Sequence, residues 1–228
     1  MFNKRHIVRT IAATASILAL SFTAACGSGQ STASNSTDSD DITQQTYKPG
    51  KLTIATGQPA YEPWVMNDKP ESGEGYEAAV AYAVADKLGF KKSDVVWTRT
   101  AFDTAIAPGA KDWDFNIQQF GITDERKKAV DFSSSYYNDS QSVVVKKDSK
   151  FANATKVSDL KDATVGVMVG TLAYDYAKAN IKDDIQTFND DAALAQALDA
   201  GQIDALVTST VECVYMVQSE QIKDAKVL

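Results

Sequence analysis

The 228-residue chain contains very little histidine and cysteine. Its one histidine is His6, and its two cysteines are Cys26 and Cys213. His6 lies within residues 1–25, which have the pattern of an export leader, so we expect the mature chain to contain no histidine. This absence excludes a Ser-His-Asp or Cys-His relay and any histidine metal site. The sequence also lacks a phosphate-binding Gly-x-x-x-x-Gly-Lys motif. We therefore expect no catalytic residues, no metal and no cofactor.

Positive charge is also scarce. The chain has 23 lysine and arginine residues against 30 aspartate and glutamate residues. Lys4, Arg5 and Arg9 lie in the leader, so the remainder carries 20 basic and 30 acidic residues and a net charge of −10. Because such a chain repels phosphate groups, we expect neither nucleic acid nor an anionic membrane surface as its main partner.

Residues 1–25 are predicted to be a lipoprotein signal peptide. A basic start precedes an uncharged, largely apolar run from Ile11 to Ala25, which is too short to span a bilayer as a mature helix. The run ends in Thr23-Ala-Ala-Cys26, which resembles the lipobox of bacterial lipoproteins with Thr23 in place of the usual leucine. The resemblance implies acylation of Cys26 and a lipid anchor. The alternative is an ordinary secretory signal.

Residues 26–46 are predicted to be a flexible tether. Serine, threonine, aspartate, glutamine and asparagine dominate this stretch, and Ile42 is its only large aliphatic side chain. Such a segment cannot bury enough apolar surface to offset its chain entropy. With Cys26 acylated, Cys213 is a lone cysteine among apolar neighbours, which favours a core position over a nucleophile.

Strand-like and helix-like patterns alternate from residue 51 onward. The predicted strands cover 52–57, 95–97, 114–120, 142–147, 163–169, 185–188 and 203–208, and the predicted helices cover 76–88, 102–106, 171–179 and 191–200. Tyr76, Val80, Val84 and Leu88 are predicted to form the apolar face of the first helix. Strands separated by helices predict parallel sheets. Two such series, joined by the run 142–147, predict two α/β lobes, residues 47–147 and 148–228, with a cleft between them.

A series of short motifs follows along the same region. They are Tyr61-Glu-Pro-Trp64, Gly75-Tyr-Glu77, Phe102-Asp-Thr-Ala, Asp114-Phe-Asn-Ile-Gln-Gln-Phe-Gly-Ile-Thr-Asp-Glu-Arg126, Val130-Asp-Phe-Ser133, Ser158-Asp-Leu-Lys161, Gly166-Val-Met-Val-Gly-Thr171 and Gly201-Gln-Ile-Asp204. In this order and at these intervals, the series resembles the polar amino acid substrate-binding proteins of ABC transporters. The resemblance implies a periplasmic-binding-protein-like clamshell of type II, whose two lobes close over a ligand.

The resemblance also implies how the ligand carboxylate is bound. Arg126 offers a planar fork of donors that matches a carboxylate, and it is implied to bind the ligand α-carboxylate. Without the motif around it, Arg126 would be interpreted as a surface arginine. Thr123 is expected to add a hydroxyl and Gly121 a backbone group. Gly170 and Thr171 stand at a strand-to-helix turn whose N–H groups suit an anion, although the turn can also be only a helix cap.

Aromatic and amide side chains are the other candidate ligand contacts. Tyr61 and Phe102 match the family positions that sandwich the ligand side chain, whereas Trp64 is either a ligand contact or core. Gln118 and Gln119 end a strand that otherwise reads as buried, and a buried amide needs partners. We expect one of the two amides to reach the cleft. Glu77 is interpreted as structural.

Two departures from the family pattern stand out. Relatives usually place an aspartate that pairs with the ligand α-ammonium at the position of Ser209. A serine cannot neutralise an ammonium, so we expect a ligand without a standard α-amino group, a substitute such as Glu212 or another carboxylate, or weakened binding. The chain also stops at Leu228, where the second hinge crossover should begin. We expect that this crossover and the C-terminal return to the first lobe are missing, as in a fragment.

Taken together, these features predict a monomeric, extracytoplasmic binding protein that is lipid-anchored to the bacterial cell membrane. It would capture an amino acid or a similar small carboxylate and deliver it to an ABC permease. One alternative is an extracytoplasmic ligand-sensing lipoprotein. Another is a dehydratase on the same fold, although Ser209 stands where its acid would be expected. The paired glutamines and the aromatic residues suit a polar or cationic ligand side chain.

Overall fold

The structure is a computed structural model that describes residues 41–228. The predicted leader and the predicted acylation site at Cys26 lie outside the described residues. The strands are β1 (Leu52–Gly57), β2 (Val95–Thr100), β3 (Phe115–Asn116), β4 (Gln141–Lys146), β5 (Val165–Met168), β6 (Gln186–Phe188), β7 (Ala205–Ser209) and β8 (Ala225–Val227). The α-helices are α1 (Tyr76–Lys87), α2 (Phe102–Ile106), α3 (Leu172–Asn180), α4 (Asp191–Asp199) and α5 (Thr210–Gln218). Short 3-10 helices cover Ile42–Gln44, Met66–Asp68, Pro70–Ser72, Lys92–Asp94, Arg126–Lys128 and Val157–Leu160.

The first sheet has three parallel strands in the order β2-β1-β3. The central strand β1 is buried along its whole length, and Leu52 and Ile54 point into a core that α1 covers. The predicted strand 114–120 is much shorter in the structure. Its ladder ends with the bond from the Ile117 N–H to the Ala55 carbonyl. Gln119 then has a φ of +53°, which ends the extended conformation, and the chain turns away toward the other lobe.

Helix α1 packs through small side chains. The sequence pattern predicted Tyr76, Val80, Val84 and Leu88 as the buried face, but Tyr76 is exposed and the three aliphatic residues are only half-buried. The prediction was wrong by about one position along the helix. The fully buried residues are Glu77, Ala78, Ala81 and Ala85. Alanine lets the helix axis lie close to the sheet, so the larger aliphatic side chains flank the contact.

The second sheet has five strands in the order β6-β5-β7-β4-β8. Strands β5, β6 and β7 are parallel, whereas β4 runs antiparallel to both β7 and β8. Strand β4 contains most of the run 142–147 that the sequence placed at the end of the first lobe, so the second sheet begins before residue 148. Helix α5 and strand β8 had no predicted counterpart. We call β1–β3 with α1 and α2 the first lobe, and β4–β8 with α3–α5 the second lobe.

Both faces of the second sheet are covered by apolar side chains, as is usual for parallel strands between helices. Along β4, Val143 and Val145 face one cluster, and Val144 faces the other. Cys213 of α5 lies fully buried in the second cluster, which confirms its predicted core position. Burial raises the pKa of its thiol to about 12, so the nucleophilic thiolate is suppressed.

The end of the predicted tether is ordered. Asp41 caps the first 3-10 turn by accepting a hydrogen bond from the Thr43 N–H at 2.9 Å. The Gly50 N–H donates to the Thr43 carbonyl at 2.8 Å, which joins this turn to the start of β1. Residues 41–46 therefore differ from the flexible segment expected there, because a side-chain cap and a backbone bond hold them. Within residues 41–228, every helix is too short or too polar to cross a bilayer.

Gly75 lies directly before α1, where the backbone passes close to the Trp64 carbonyl. Its φ is +100°, and a Cβ there would lie 2.5 Å from the Trp64 carbonyl oxygen. That same carbonyl accepts a hydrogen bond from the Glu77 N–H at 2.9 Å. We expect Gly75→Ala to lower the free energy of unfolding by about 2–4 kcal/mol, because it adds backbone strain and a clash.

Gly201→Ala is the matched control for this substitution. Gly201 also has a positive φ, +69°, but a Cβ there would meet nothing within 4 Å. It should cost about 1 kcal/mol, from backbone strain alone. Urea unfolding followed by tryptophan fluorescence measures both variants. Equal losses for the two would contradict the close approach of Gly75 to the Trp64 carbonyl.

Candidate ligand-binding cleft

A cavity of about 440 Å³ lies between the two lobes. Nine of the eleven predicted ligand residues line it, namely Tyr61, Trp64, Phe102, Gln118, Gln119, Gly121, Arg126, Thr171 and Ser209. The carboxyl ends of β5 and β7 and the start of α4 provide its floor in the second lobe, where parallel strands commonly present ligand-binding groups. Thr123 and Gly170 do not line the cavity, but both contact Arg126 directly.

Arg126 lies where the two lobes meet. Its Nη1 donates to the Gly121 carbonyl at 2.8 Å, and its Nη2 donates to the Gly170 carbonyl of the second lobe at 2.9 Å. The Thr123 hydroxyl accepts from the Arg126 backbone N–H at 3.1 Å and so helps to order this 3-10 turn. Burial lowers the pKa of Arg126, but a guanidinium stays protonated in proteins. The cleft therefore contains a fixed positive charge.

Two aromatic rings hold the guanidinium in place. The rings of Phe102 and Phe120 stack with their centroids 4.1 Å apart. The Arg126 guanidinium carbon lies 5.7 Å from the Phe102 centroid and 5.5 Å from the Phe120 centroid, within the range of cation–π attraction. Phe120 was missed by the sequence analysis, although it lies within the quoted motif that ends at Arg126.

The turn at Gly170 and Thr171 differs from the expected anion site. Thr171 is the N-cap of α3, and its hydroxyl donates to the Met168 carbonyl at 2.8 Å while accepting from the Tyr174 N–H at 3.4 Å. Gly170 presents its carbonyl to Arg126. The turn therefore contacts Arg126 through a carbonyl acceptor, and the Thr171 hydroxyl serves as the helix cap.

Tyr61 and Trp64 take different positions in the cleft. The Tyr61 hydroxyl accepts a hydrogen bond from the Ala192 N–H at 3.4 Å, and so reaches across to the start of α4. Trp64 is 4% exposed and packs edge-on against Tyr137, with the ring centroids 5.3 Å apart. Trp64 therefore belongs to an aromatic core and also lines the cavity, which joins the two interpretations that the sequence left open.

Both predicted amides line the cavity, whereas only one was expected to do so. Gln118 is buried, and its side-chain oxygen accepts from the Asn116 amide at 3.2 Å. Gln119 donates its backbone N–H to Glu77 at 2.8 Å, and its side-chain amide also donates to Glu77. Gln119 thus orients a carboxylate of the first lobe.

Glu77 is both structural and part of the cleft. It is fully buried, lines the cavity and accepts hydrogen bonds from Gln119 and from the Tyr136 hydroxyl. Burial raises its pKa to about 7, and these donors oppose part of the rise. The sequence interpretation of Glu77 as structural missed its exposure to the cavity.

Two further buried carboxyl groups, Asp191 and Glu212, line the cavity beside Ser209. Ser209 is the N-cap of α5, and its hydroxyl accepts from the Glu212 N–H at 3.2 Å. Glu212 accepts from the Thr208 hydroxyl at 2.6 Å. Burial raises the pKa of both carboxyl groups. The sequence singled out Glu212 as a substitute acid but missed Asp191, which reads as an ordinary first-turn residue of α4.

Comparison with known proteins gives consistent matches. The family described as "Bacterial extracellular solute-binding proteins, family 3" matches residues 52–197. The glutamine-binding protein of Geobacillus stearothermophilus is 32% identical over 225 residues, which cover 90% of this chain and 82% of that protein. The L-cystine-binding protein TcyJ of Escherichia coli (strain K12) is 31% identical over 160 residues, which cover 69% of this chain. The match spans about three fifths, 59%, of the length of TcyJ.

A solved structure gives the same fold. The ancestral amino acid-binding protein AncCDT-1, described as a precursor of cyclohexadienyl dehydratase, superposes with a TM-score of 0.68 at 31% identity. The superposition covers 83% of this chain and 79% of that chain. With its two sheets and the cleft between them, the chain therefore has the predicted two-lobed clamshell fold.

Glu77 generates a pH dependence of stability that can be tested. Its pKa is about 7 in the folded chain against an ordinary value of 4.5, so the folded chain holds a proton that the unfolded chain releases. Its contribution to folding is complete below about pH 4.5 and is lost as the pH rises to about 7, by up to about 3 kcal/mol. Glu77→Gln cannot titrate, so its stability should fall less over this range.

Denaturant unfolding at several pH values from 4 to 8 measures this difference. Glu125→Gln removes an exposed carboxylate and serves as the control, and its pH profile should run parallel to that of the wild type. A Glu77→Gln profile that also runs parallel to the wild type would show that Glu77 is ionised in the folded chain throughout.

Proposed function

The chain belongs to family 3 of the bacterial extracellular solute-binding proteins, and from this membership we propose that it captures an amino acid or a similar small carboxylate and delivers it to an ABC importer. The observation that carries the proposal is the half-buried guanidinium of Arg126 in the cleft, which lies over the Phe102 ring of the first lobe and donates to the Gly170 carbonyl of the second lobe. The relatives named above support it, since they are binding proteins for glutamine and cystine, which both carry an α-carboxylate.

The Arg126 guanidinium has more N–H groups than its two carbonyl partners use, which leaves donors for a ligand carboxylate. A guanidinium carries five N–H groups. The carbonyls of Gly121 and Gly170 each accept from one nitrogen of its fork, and stacking on Phe102 and Phe120 limits its rotation. A carboxylate entering the cleft would find donors already oriented, so the cost of ordering them on binding is small.

Three hydrogen bonds across the cleft support a closure of the two lobes over the ligand. Arg126 reaches Gly170, Tyr61 reaches Ala192, and the Tyr215 hydroxyl of α5 donates to Glu62. Each contact joins a residue of the first lobe, or of the segment 117–140 that connects the lobes, to the second lobe. A ligand that touches both lobes favours the closed arrangement, and an importer that recognises this arrangement receives only loaded protein.

We place this function outside the cell membrane, with the protein tethered through a lipid on Cys26 and acting as a monomer. The family description supports the extracellular location. Binding, and not dehydration, is the proposed activity. AncCDT-1 is itself described as an amino acid-binding protein, which supports this choice.

Arg126→Ala tests the proposal. Titration calorimetry with a panel of amino acids on the wild-type protein should find at least one saturable ligand. The substitution should lower the affinity for that ligand about 30-fold or more, because the carboxylate loses its charge-assisted partner in a half-buried site. Lys128→Ala, which removes an exposed cation two residues away, should leave the affinity unchanged. A wild-type protein that binds no amino acid or small carboxylate would contradict the proposal.

A second test addresses closure at Gly121. A Cβ at this position would lie 2.3 Å from Cδ1 of Leu172 in the second lobe, so a side chain at residue 121 would push the Leu172 side chain aside. Gly121→Ala should weaken ligand binding about tenfold, since overpacking of this kind costs 1–3 kcal/mol. Combining it with Leu172→Ala should restore part of the affinity. Additive losses in this double-mutant cycle would show that the two positions do not meet in the bound state.

A further inference from the structure

Acidic groups outnumber basic groups in the cleft. Among the described residues that line the cavity, Arg126 is the only cation, and three buried carboxyl groups stand against it: Glu77, Asp191 and Glu212. A fourth acid, Asp139, also lines the cavity, but it is exposed to solvent. Because burying unpaired charge is costly, the buried acids indicate what the cleft is built to receive.

Glu77 needs no ligand. Its two carboxylate oxygens accept hydrogen bonds from the Gln119 N–H, the Gln119 side-chain amide and the Tyr136 hydroxyl. These donors all belong to the first lobe or to the segment that connects the two lobes. Glu77 is therefore satisfied within the protein and acts as a support for that wall of the cleft.

Asp191 is in the opposite situation. The residue is 7% exposed and lines the cavity, and its Oδ1 is buried without a hydrogen-bond partner. The N-terminal cap of α4 is made by its neighbour, since the Asp190 carboxylate accepts from the Ala193 N–H at 2.8 Å. Asp191 is thus free of the capping role, and a buried acceptor of this kind calls for a donor from outside the chain.

Glu212 and Gln141 extend the same acceptor surface. The Glu212 carboxylate has the Thr208 hydroxyl as a partner, and its negative charge raises the pKa of Asp191 further. The Gln141 side-chain oxygen lines the same cavity and is also buried without a hydrogen-bond partner. This wall of the cleft therefore offers two acidic groups and an amide oxygen, and the nearby Ser209 hydroxyl accepts from the backbone of α5.

We propose that Asp191 and Glu212 bind the cationic groups of the ligand, and that the ligand is a basic amino acid. The inference rests on the proposed function, because it takes the ligand carboxylate to lie on Arg126. A basic amino acid brings one carboxylate and two cations, and the cleft offers one guanidinium and two acids to match them. A neutral amino acid leaves one acid without a counter-charge. An acidic amino acid leaves one acid without a counter-charge and adds a second carboxylate that Arg126 alone would have to pair.

Three probes of equal chain length test the proposal by titration calorimetry on the purified protein. Lysine carries both ammonium groups, norleucine carries only the α-ammonium, and 6-aminohexanoate carries only the terminal ammonium. Lysine should bind at least tenfold tighter than either analogue. Norleucine or glutamine binding as tightly as lysine would overturn this inference and leave the proposed function standing. A wild-type protein that binds none of the amino acids and small carboxylates tested would overturn both.

Variants assign the two acids. Asp191→Asn keeps the shape of the side chain and removes its charge. It should lower the affinity for lysine at least tenfold. Asp190→Asn makes the same change one residue earlier and keeps a good N-cap, so lysine affinity should stay within about twofold. Asp191→Asn should also lower the affinity for one of the two analogues, and the ammonium group of that analogue is the one that Asp191 binds. Glu212→Gln should then lower the affinity for the other analogue.

An unchanged lysine affinity in Asp191→Asn would overturn the proposal. Thermal melting of each variant without ligand separates lost binding from lost folding. Asp191→Asn removes a buried charge, so we expect a melting temperature at or above that of the wild type. If Asp191→Asn fails to fold, Glu212→Gln carries the test, and an unchanged lysine affinity in that folded variant would overturn the proposal.

Discussion

The guanidinium of Arg126 is the charged group that joins the two sides of the cleft. It donates to the carbonyl of Gly121 on one side and to the carbonyl of Gly170 in the second lobe on the other. Its position requires the stacked rings of Phe102 and Phe120 beneath it. It also requires a residue without a side chain at 121, where Leu172 approaches from the opposite lobe. This half-buried cation makes its hydrogen bonds to neutral carbonyls, and in the proposed complex a ligand carboxylate supplies its counter-charge.

The rest of the cleft is organised around carboxyl groups of two kinds. Glu77 is surrounded by donors from its own side of the cleft and stiffens the wall that Gln119 and Tyr136 complete. Asp191 and Glu212 stand on the second lobe, with fewer partners and with each other close by. The first arrangement is stable by itself, whereas the second gains most from an incoming cation. Ligand binding and closure are thereby linked through charge as well as through shape.

The sequence predicted the alternation of strands and helices well, because strands such as β1 and helices such as α2 and α4 carry strong local patterns. It misjudged α1, whose buried face consists of alanines that a hydrophobic period does not distinguish from the flanking valines. It also placed the run that forms β4 in the first lobe, because strand order is decided by pairing partners far away in the chain. Arg126 was found through its motif. Asp191 was missed because its neighbours in the cleft include Glu212 and Tyr61, which are distant from it in sequence and approach it only in the folded chain.

A crystal structure of the protein grown with lysine would show directly how the cleft is occupied. We expect the ligand in the cleft between the lobes, with its carboxylate within hydrogen-bond distance of the Arg126 guanidinium and an ammonium group on Asp191 or Glu212. A ligand bound with its carboxylate away from Arg126, while Arg126 keeps only its bonds to Gly121 and Gly170, would contradict the account.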